Sequence, residues 1–274
     1  MQKLLVLLAI FIAIISGGCT QYAYYQSPNH TQTNTYKAMP LHSEHKKSAL
    51  YGGVSIAAGG ANEDWKDGLF AFSGEIHQAH KFGVFQAFYG ANVTLGNYQV
   101  NSYGQQYDGY LFGSYNRNLN DTLLNKLTGN KFFGTWGLSG GINVVQPFAK
   151  GGEWRIIGLE YSWQQEWGDY LSFRKQLPIT AANLIDYKRN YSTLSITTDI
   201  IGKIDNSYLG YKIAMAITPY KLTYYNIASE SSQVQPANFS QTLHFTTKRI
   251  TGFVQANIGY YAGNFQLGMN YRLR

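Results

Sequence analysis

This 274-residue sequence has a single cysteine, and beyond its first 18 residues it has no long apolar run. Its only cysteine, Cys19, has no partner for an internal disulfide, so this residue needs another explanation. After residue 18, no apolar run approaches the roughly 20 residues that a membrane-spanning helix needs. These absences exclude an internal disulfide framework and a helical membrane domain.

The motifs of common catalytic and nucleic-acid-binding sites are also missing. There is no Gly-rich phosphate loop, no Cys–His metal set and no Gly-x-Ser-x-Gly nucleophile turn. The formal net charge of +7 could favour nucleic acid, but no basic run is interleaved with aromatic residues. The sequence therefore predicts no enzyme activity, no catalytic residue, no metal, no cofactor and no nucleic-acid partner.

The N-terminus has the features of an export signal. Lys3 precedes an apolar run over residues 4–15, which is too short to span a membrane comfortably. The run ends in a Ser-Gly-Gly sequence before Cys19, which resembles a bacterial lipobox and implies cleavage before Cys19 and its acylation. Residues 1–18 are therefore predicted to be a signal peptide. The alternative is an ordinary secretory leader cut near Gly18, with Cys19 incidental.

Residues 19–48 are polar and show no sustained helix or strand period, which predicts a lipidated N-terminus and a partly extended tether. Four residues in this segment could bind a metal: His30, His42, Glu44 and His45. Because no rigid scaffold would fix their coordination geometry, we expect these side chains to be solvated.

Residues 49–274 alternate between large apolar side chains and small or polar ones, as strands with two unlike faces do. The alternation predicts an all-β domain, an antiparallel up-and-down barrel of about ten strands. The strand near 107–115 is placed only loosely, because its two faces blur. The ten stretches are 50–57, 70–77, 85–95, 107–115, 135–144, 157–164, 193–200, 209–218, 250–260 and 263–274.

Composition favours a transmembrane barrel over a soluble barrel or sandwich. The face opposite the apolar one carries mostly Gly, Ala, Ser and Thr, which suits the crowded lumen of a narrow barrel. Many of the 23 tyrosines lie near predicted strand ends, as in the aromatic girdles of membrane barrels. The last strand, 263–274, is predicted to pair with 50–58 and close the barrel, and Ile213 is predicted to face lipid.

The connections between these strands are of two kinds. Tight turns are predicted at 150–152, 206–207 and 262–264, and long connections at 119–131, 169–189 and 226–241. If both termini are periplasmic, the strand count puts the long connections on the periplasmic side, which is the reverse of the usual arrangement. Either the strands near 97–117 are miscounted, or the periplasmic loops are unusually large. Residues 119–128 could form a short helix.

Several ionisable residues are predicted to point into the lumen and to pair there with each other, because a barrel interior can hold charges of both signs. They are Glu75, His77, Glu160, Asp199, Lys212 and Arg272. Ser73, Glu75 and His77 share one strand face, which leaves a hydrolase as an alternative. Successive members lie about 7 Å apart at strand rise, too far for direct contact without long side chains.

The chain resembles a family of bacterial outer-membrane β-barrel lipoproteins, most of them uncharacterised. The similarity includes the leader and Cys19, the Met-Pro-Leu element at 39–41, the segment 78–85 and the late strand 253–260. The resemblance implies a barrel and a location, a lipid anchor in the bacterial outer membrane. It carries over no catalytic residue.

The predicted function is a structural or surface-interaction role for a lipid-anchored barrel. A narrow channel for small solutes is the main alternative, and an outer-membrane lipid-modifying hydrolase is a weaker one. The predicted partners are outer-membrane lipids, glycolipid phosphates and the barrel-assembly machinery, in keeping with a basic chain.

Overall fold

A computed structural model describes residues 24–28, 35–44, 46–62, 65–101, 127–177, 182–225, 231–259 and 261–274. The predicted signal peptide, Cys19, His30 and His45 lie outside the described residues, as do the predicted strand at 107–115 and most of the predicted helix at 119–128.

The described chain is almost entirely β-structure. In chain order the strands are β1 (Tyr24–Tyr25), β2 (Ser48–Ala61), β3 (Asp67–Phe82), β4 (Phe85–Val100), β5 (Gly129–Pro147), β6 (Gly152–Trp167), β7 (Leu184–Ile185), β8 (Asn190–Ile204), β9 (Ser207–Ile217), β10 (Leu222–Tyr225), β11 (Ser231–Val234), β12 (Ala237–Thr247), β13 (Ile250–Gly259) and β14 (Ala262–Arg272). One helix, α1 (Asp169–Gln176), lies between β6 and β7.

Ten of these strands form a closed antiparallel barrel, which confirms the predicted fold and strand number. Going round the barrel, the order is β2, β3, β4, β5, β6, β8, β9, β12, β13 and β14. The predicted closure is also present, because β14 pairs antiparallel with β2, with Gln266 opposite Ala57 and Arg272 opposite Tyr51. The remaining strands form a small sheet in the order β1, β7, β10, β11.

The two faces of the barrel wall differ as the alternation predicted. Large apolar side chains point outward, and Phe265 and Met215 are 70% and 65% exposed. Inward-facing neighbours such as Gln266 and Ala216 are buried. A soluble sandwich would bury its large apolar face, so this arrangement is that of a barrel whose outer surface meets lipid. No helix in the described part of the chain is long and apolar enough to cross a membrane.

One predicted strand was wrong in position. β4 pairs directly with β5, so the barrel closes without the stretch at 107–115. The tenth strand is instead β12, whose first part, 237–241, was predicted to belong to a long connection and whose remainder was assigned to no strand. Its outward face is interrupted by Gln241, which accepts a hydrogen bond from the Tyr211 hydroxyl at 2.5 Å. That polar residue broke the apolar alternation by which strands were recognised.

The two ends of the barrel differ in their connections. One end, the turn end, has turns of two to four residues at 83–84, 148–151, 205–206 and 248–249. It also holds the start of β2 and the end of β14. The opposite end, the loop end, carries the long connections between β4 and β5, β6 and β8, and β9 and β12. The strand count that put the long connections on the side of the barrel termini was therefore wrong, because it included 107–115 and omitted β12. Of the two explanations considered, a miscount near 97–117 is the correct one.

The lipid-facing assignment of Ile213 predicts the effect of a charge at that position. Ile213 lies on the outer side of β9 with Tyr211 and Met215, whereas Ala214 is buried inward. We expect Ile213→Arg to cost about 2–4 kcal/mol of barrel stability, because a charge near mid-strand enters hydrocarbon. Heat-modifiable gel migration measures the folded yield. Ala214→Ser is the matched control, and an equal or larger loss in that variant contradicts the assignment.

Candidate functional site: the barrel lumen

A segment from the N-terminal part of the chain lies inside the barrel. We call residues 35–44 the lumen segment; its residues 36–41 are buried. Its contacts with β3 advance in step with the sequence: Lys37 reaches Glu75, the Ala38 carbonyl reaches His77, and the Leu41 carbonyl reaches Lys81. The lumen segment therefore runs in the same direction as β3, towards the turn end.

Side chains of the barrel wall satisfy the backbone of the lumen segment. The amide of Asn270 donates to the Tyr36 carbonyl at 2.9 Å, and His77 Nε2 donates to the Ala38 carbonyl at 2.9 Å. Gln86 Nε2 donates to the Pro40 carbonyl at 3.1 Å. A buried extended segment needs such partners because it has no neighbouring strand. Polar residues on the inward face of β3, β4 and β14 serve this purpose.

An ion pair holds the lumen segment near its N-terminal end. Lys37 Nζ lies 2.5 Å from Glu75 Oε2, and His77 Nδ1 lies 3.5 Å from Glu75 Oε1, with all three side chains almost fully buried. Because His77 Nε2 meets a carbonyl oxygen, that nitrogen carries a proton. Glu75 therefore lies between the side chains of Lys37 and His77.

A second cluster surrounds the Tyr36 ring. The ring stacks on His244 with centroids 4.1 Å apart, and His244 Nε2 lies 2.9 Å from Asp199 Oδ1. Arg155 donates to Asp199 at 2.8 Å and to Glu153 at 3.0 Å. The other Glu153 oxygen accepts the His42 backbone N–H at 2.7 Å. The cluster therefore joins three barrel strands, β6, β8 and β12, to the lumen segment.

These contacts correct the expectation that the side chains of His42 and Glu44 are solvated. His42 contacts Glu153, and Glu44 pairs with Arg272 at 2.6 Å. The segment has no period of its own because its partners are not one neighbouring strand but side chains spread round the lumen. Only the tertiary structure supplies them.

The structure places the predicted lumen residues as follows. Glu160 and Lys212 pair with each other at 2.5 Å, and Glu75 lies beside His77. Asp199 pairs with Arg155 and His244, and Arg272 pairs with Glu44 of the lumen segment. Sequence reasoning missed Lys37, Glu44, Arg155 and His244 as their partners, and Glu153 as the partner of Arg155.

Arg155 was missed because the strand alternation changes phase beside it. The pairing of β6 with β8 shifts register between Arg155 and Gly158, so Ile156 and Ile157 both lie exposed. A bulge of this kind turns a side chain to the other face of a strand. The apolar pair Ile156-Ile157 was the signal for it.

The half of the lumen nearer the loop end is filled by a different cluster. Helix α1 folds inward, so Tyr170 stacks on Tyr98 with centroids 4.1 Å apart and Phe173 meets Tyr25 edge-on. Gly168 precedes the helix with φ 113°, and a Cβ there would lie 2.7 Å from the Phe132 carbonyl oxygen. Glycine thus lets the chain turn inward at this position.

A buried ion pair accompanies this cluster. Arg174 Nη2 lies 2.6 Å from Glu166 Oε1, and Arg174 Nη1 donates to the Asp186 carbonyl at 2.8 Å. Burial disfavours the charge of Arg174, but the carboxylates of Glu166 and Asp186 outweigh burial and raise the Arg174 pKa above its usual value. The guanidinium stays charged and ties α1 to the end of β6.

The contacts do not assemble a hydrolase at the predicted triplet. Ser73 Oγ lies 2.7 Å from Thr94 Oγ1, while Glu75 and His77 contact the lumen segment. A cavity of about 20 Å³ beside Tyr36, lined also by Arg155 and His244, has room for about one water molecule. The lumen segment and its partners thus occupy the half of the lumen nearer the turn end, and α1 and its partners occupy the other half.

No protein-family model matches this sequence, and no curated protein matches it. Among solved structures it is similar to the translocator domain of the autotransporter NalP from Neisseria meningitidis, with a TM-score of 0.42 and 8% identity over 85% of this chain and 91% of that one. It is also similar to the COG4313 outer membrane channel from Pseudomonas putida F1, with a TM-score of 0.41 and 10% identity over 88% and 99% of the two chains. At such identities the likeness concerns the barrel fold alone.

Proposed function

We propose that the protein is a closed outer-membrane barrel lipoprotein with a structural or surface-interaction role and no catalytic role. The observation that carries this proposal is the occupied lumen. Residues 36–41 are buried there, with their carbonyls bonded to Asn270, His77, Gln86 and Lys81. Because the protein's own chain occupies the lumen, the barrel is suited to act as a fixed scaffold that supports the connections at the loop end.

The orientation of the barrel follows from its connections. Bacterial outer-membrane barrels have short periplasmic turns and longer extracellular loops. By this rule the turn end faces the periplasm and the loop end faces the outside. The barrel-assembly machinery is then the partner in biogenesis.

Exposed cations at the loop end support the proposed contact with glycolipid phosphates. Lys175, Arg189 and Lys221 are exposed there with one described exposed acid, Asp169, on α1, whereas Glu166 and Asp186 are buried beside Arg174. The cations therefore remain available to anionic groups of the outer leaflet.

A narrow channel remains the second candidate, since the inward face is polar. We expect the folded wild-type protein to show no steady conductance in planar bilayers, because side chains and the lumen segment fill the narrow barrel. Heat-modifiable migration of the same sample shows that the protein tested is folded. Steady single-channel steps from such a sample would replace the closed-barrel proposal with the channel.

Lipidation of Cys19 is a separate part of the proposal, supported by the lipobox-like sequence before it. We expect acyl-chain labelling of the wild type and none of Cys19→Ala, because Cys19 is the only cysteine that can carry the thioether. Equal labelling of both proteins, or a mature mass that starts at another residue, contradicts this part.

A further inference from the structure

The N-terminal part of the described chain is docked at the loop end. β1 pairs parallel with β7, with Tyr24 opposite Leu184 and Tyr25 opposite Ile185. The Tyr24 N–H donates to Asn62 Oδ1 at 2.9 Å, just beyond the end of β2. The Tyr170 hydroxyl of α1 donates to the Gln26 carbonyl at 3.1 Å. Three different loop-end elements thus hold residues 24–26.

The other end of the lumen segment lies at the turn end. Glu44 pairs there with Arg272, the last residue of β14, and the Lys47 carbonyl accepts the Lys81 N–H at 2.7 Å. β2 begins at Ser48 and runs back towards the loop end. Between Tyr24 and Ser48 the chain has therefore passed from one end of the barrel to the other.

We propose that the barrel carries its own N-terminus through its lumen, so that the chain before Tyr24 is displayed on the outer side of the membrane. The inference rests on the proposed orientation only for naming that side. The contacts themselves place Tyr24 at the same end of the barrel as the long connections, opposite the turns.

The inference identifies the lipid surface that an anchor at Cys19 meets. Five residues of chain reach at most about 18 Å, which is less than the apolar band of such barrels, about 25 Å tall. An acyl anchor five residues before Tyr24 therefore reaches the outer leaflet and not the inner one. The buried side chains in both halves of the lumen block a return of the N-terminal chain to the periplasmic side.

Single cysteines and a membrane-impermeant maleimide test this topology in intact cells. Gln21→Cys reports the N-terminal end, Lys221→Cys the loop end, and Asn206→Cys the turn end. Lys221 and Asn206 are both exposed. The wild type measures any labelling of Cys19 itself, and heat-modifiable migration verifies that each variant is folded. Labelling is expressed relative to the same protein after denaturation.

We expect strong labelling of Gln21→Cys and Lys221→Cys in intact cells, and labelling of Asn206→Cys only after the outer membrane is permeabilised. Gln21→Cys protected in intact cells while Lys221→Cys is labelled overturns the inference and leaves the proposed orientation standing. Asn206→Cys labelled and Lys221→Cys protected overturns the orientation instead. In that case Gln21→Cys still decides the topology by whether it follows Lys221→Cys or Asn206→Cys.

Discussion

Deleting residues 271–274 is expected to abolish assembly of the barrel. β14 pairs with both β13 and β2, so its last residues hold two strands at once. The Arg272 N–H donates to the Arg249 carbonyl at 2.8 Å, and the Leu273 N–H donates to the Leu50 carbonyl at 2.8 Å. Backbone groups left unpaired in a membrane cost several kcal/mol each. The measurement is the heat-modifiable folded form in membrane extracts.

Paired cysteines test the seam itself in the full-length chain. Val54 lies opposite Met269, and both side chains are exposed on the lipid side. Val54→Cys with Met269→Cys should crosslink through a short thiol reagent. Val54→Cys with Phe265→Cys is the off-register control, about 13 Å further along the strand. Equal crosslinking of the two pairs, or a tolerated deletion, contradicts closure by β14 and β2.

Replacing Lys37 is expected to destabilise the folded barrel by about 3–5 kcal/mol, because Lys37→Met leaves the Glu75 carboxylate buried without its cation. The two groups are 2.5 Å apart and each side chain is 4% exposed. Denaturant unfolding of the refolded protein in detergent or lipid measures the loss.

Two controls make this prediction specific. Lys37→Met with Glu75→Gln should recover most of the stability, since removing both charges leaves no uncompensated ion. Lys46→Met changes an exposed lysine just after the lumen segment and should stay within about 0.5 kcal/mol of the wild type. A loss in Lys37→Met no larger than in Lys46→Met means that the buried ion pair does not hold the segment.

The alternation of side chains predicted strands correctly where outward residues were apolar and inward residues were small or polar. It failed where a single residue departed from this pattern. β14 alternates throughout, and its pairing with the first barrel strand could be predicted. β12 was missed because Gln241 lies outward, and Arg155 was missed because a register shift turns it inward. The predicted side of the long connections was wrong because 107–115 was counted as a barrel strand and β12 was not.

The sequence by itself determined which face of each strand meets lipid and which meets the lumen, because the side-chain period of two is a local property of the chain. It therefore indicated the inward side of Glu75, Asp199 and Lys212. Only the tertiary structure decided what fills the lumen. The partners of Lys37 and Tyr36 come from residues far away in sequence, such as Glu75 and His244, and the barrel brings them together only when it closes. A polar segment without a period carries no local sign of such partners, so its burial depends on the closed barrel around it.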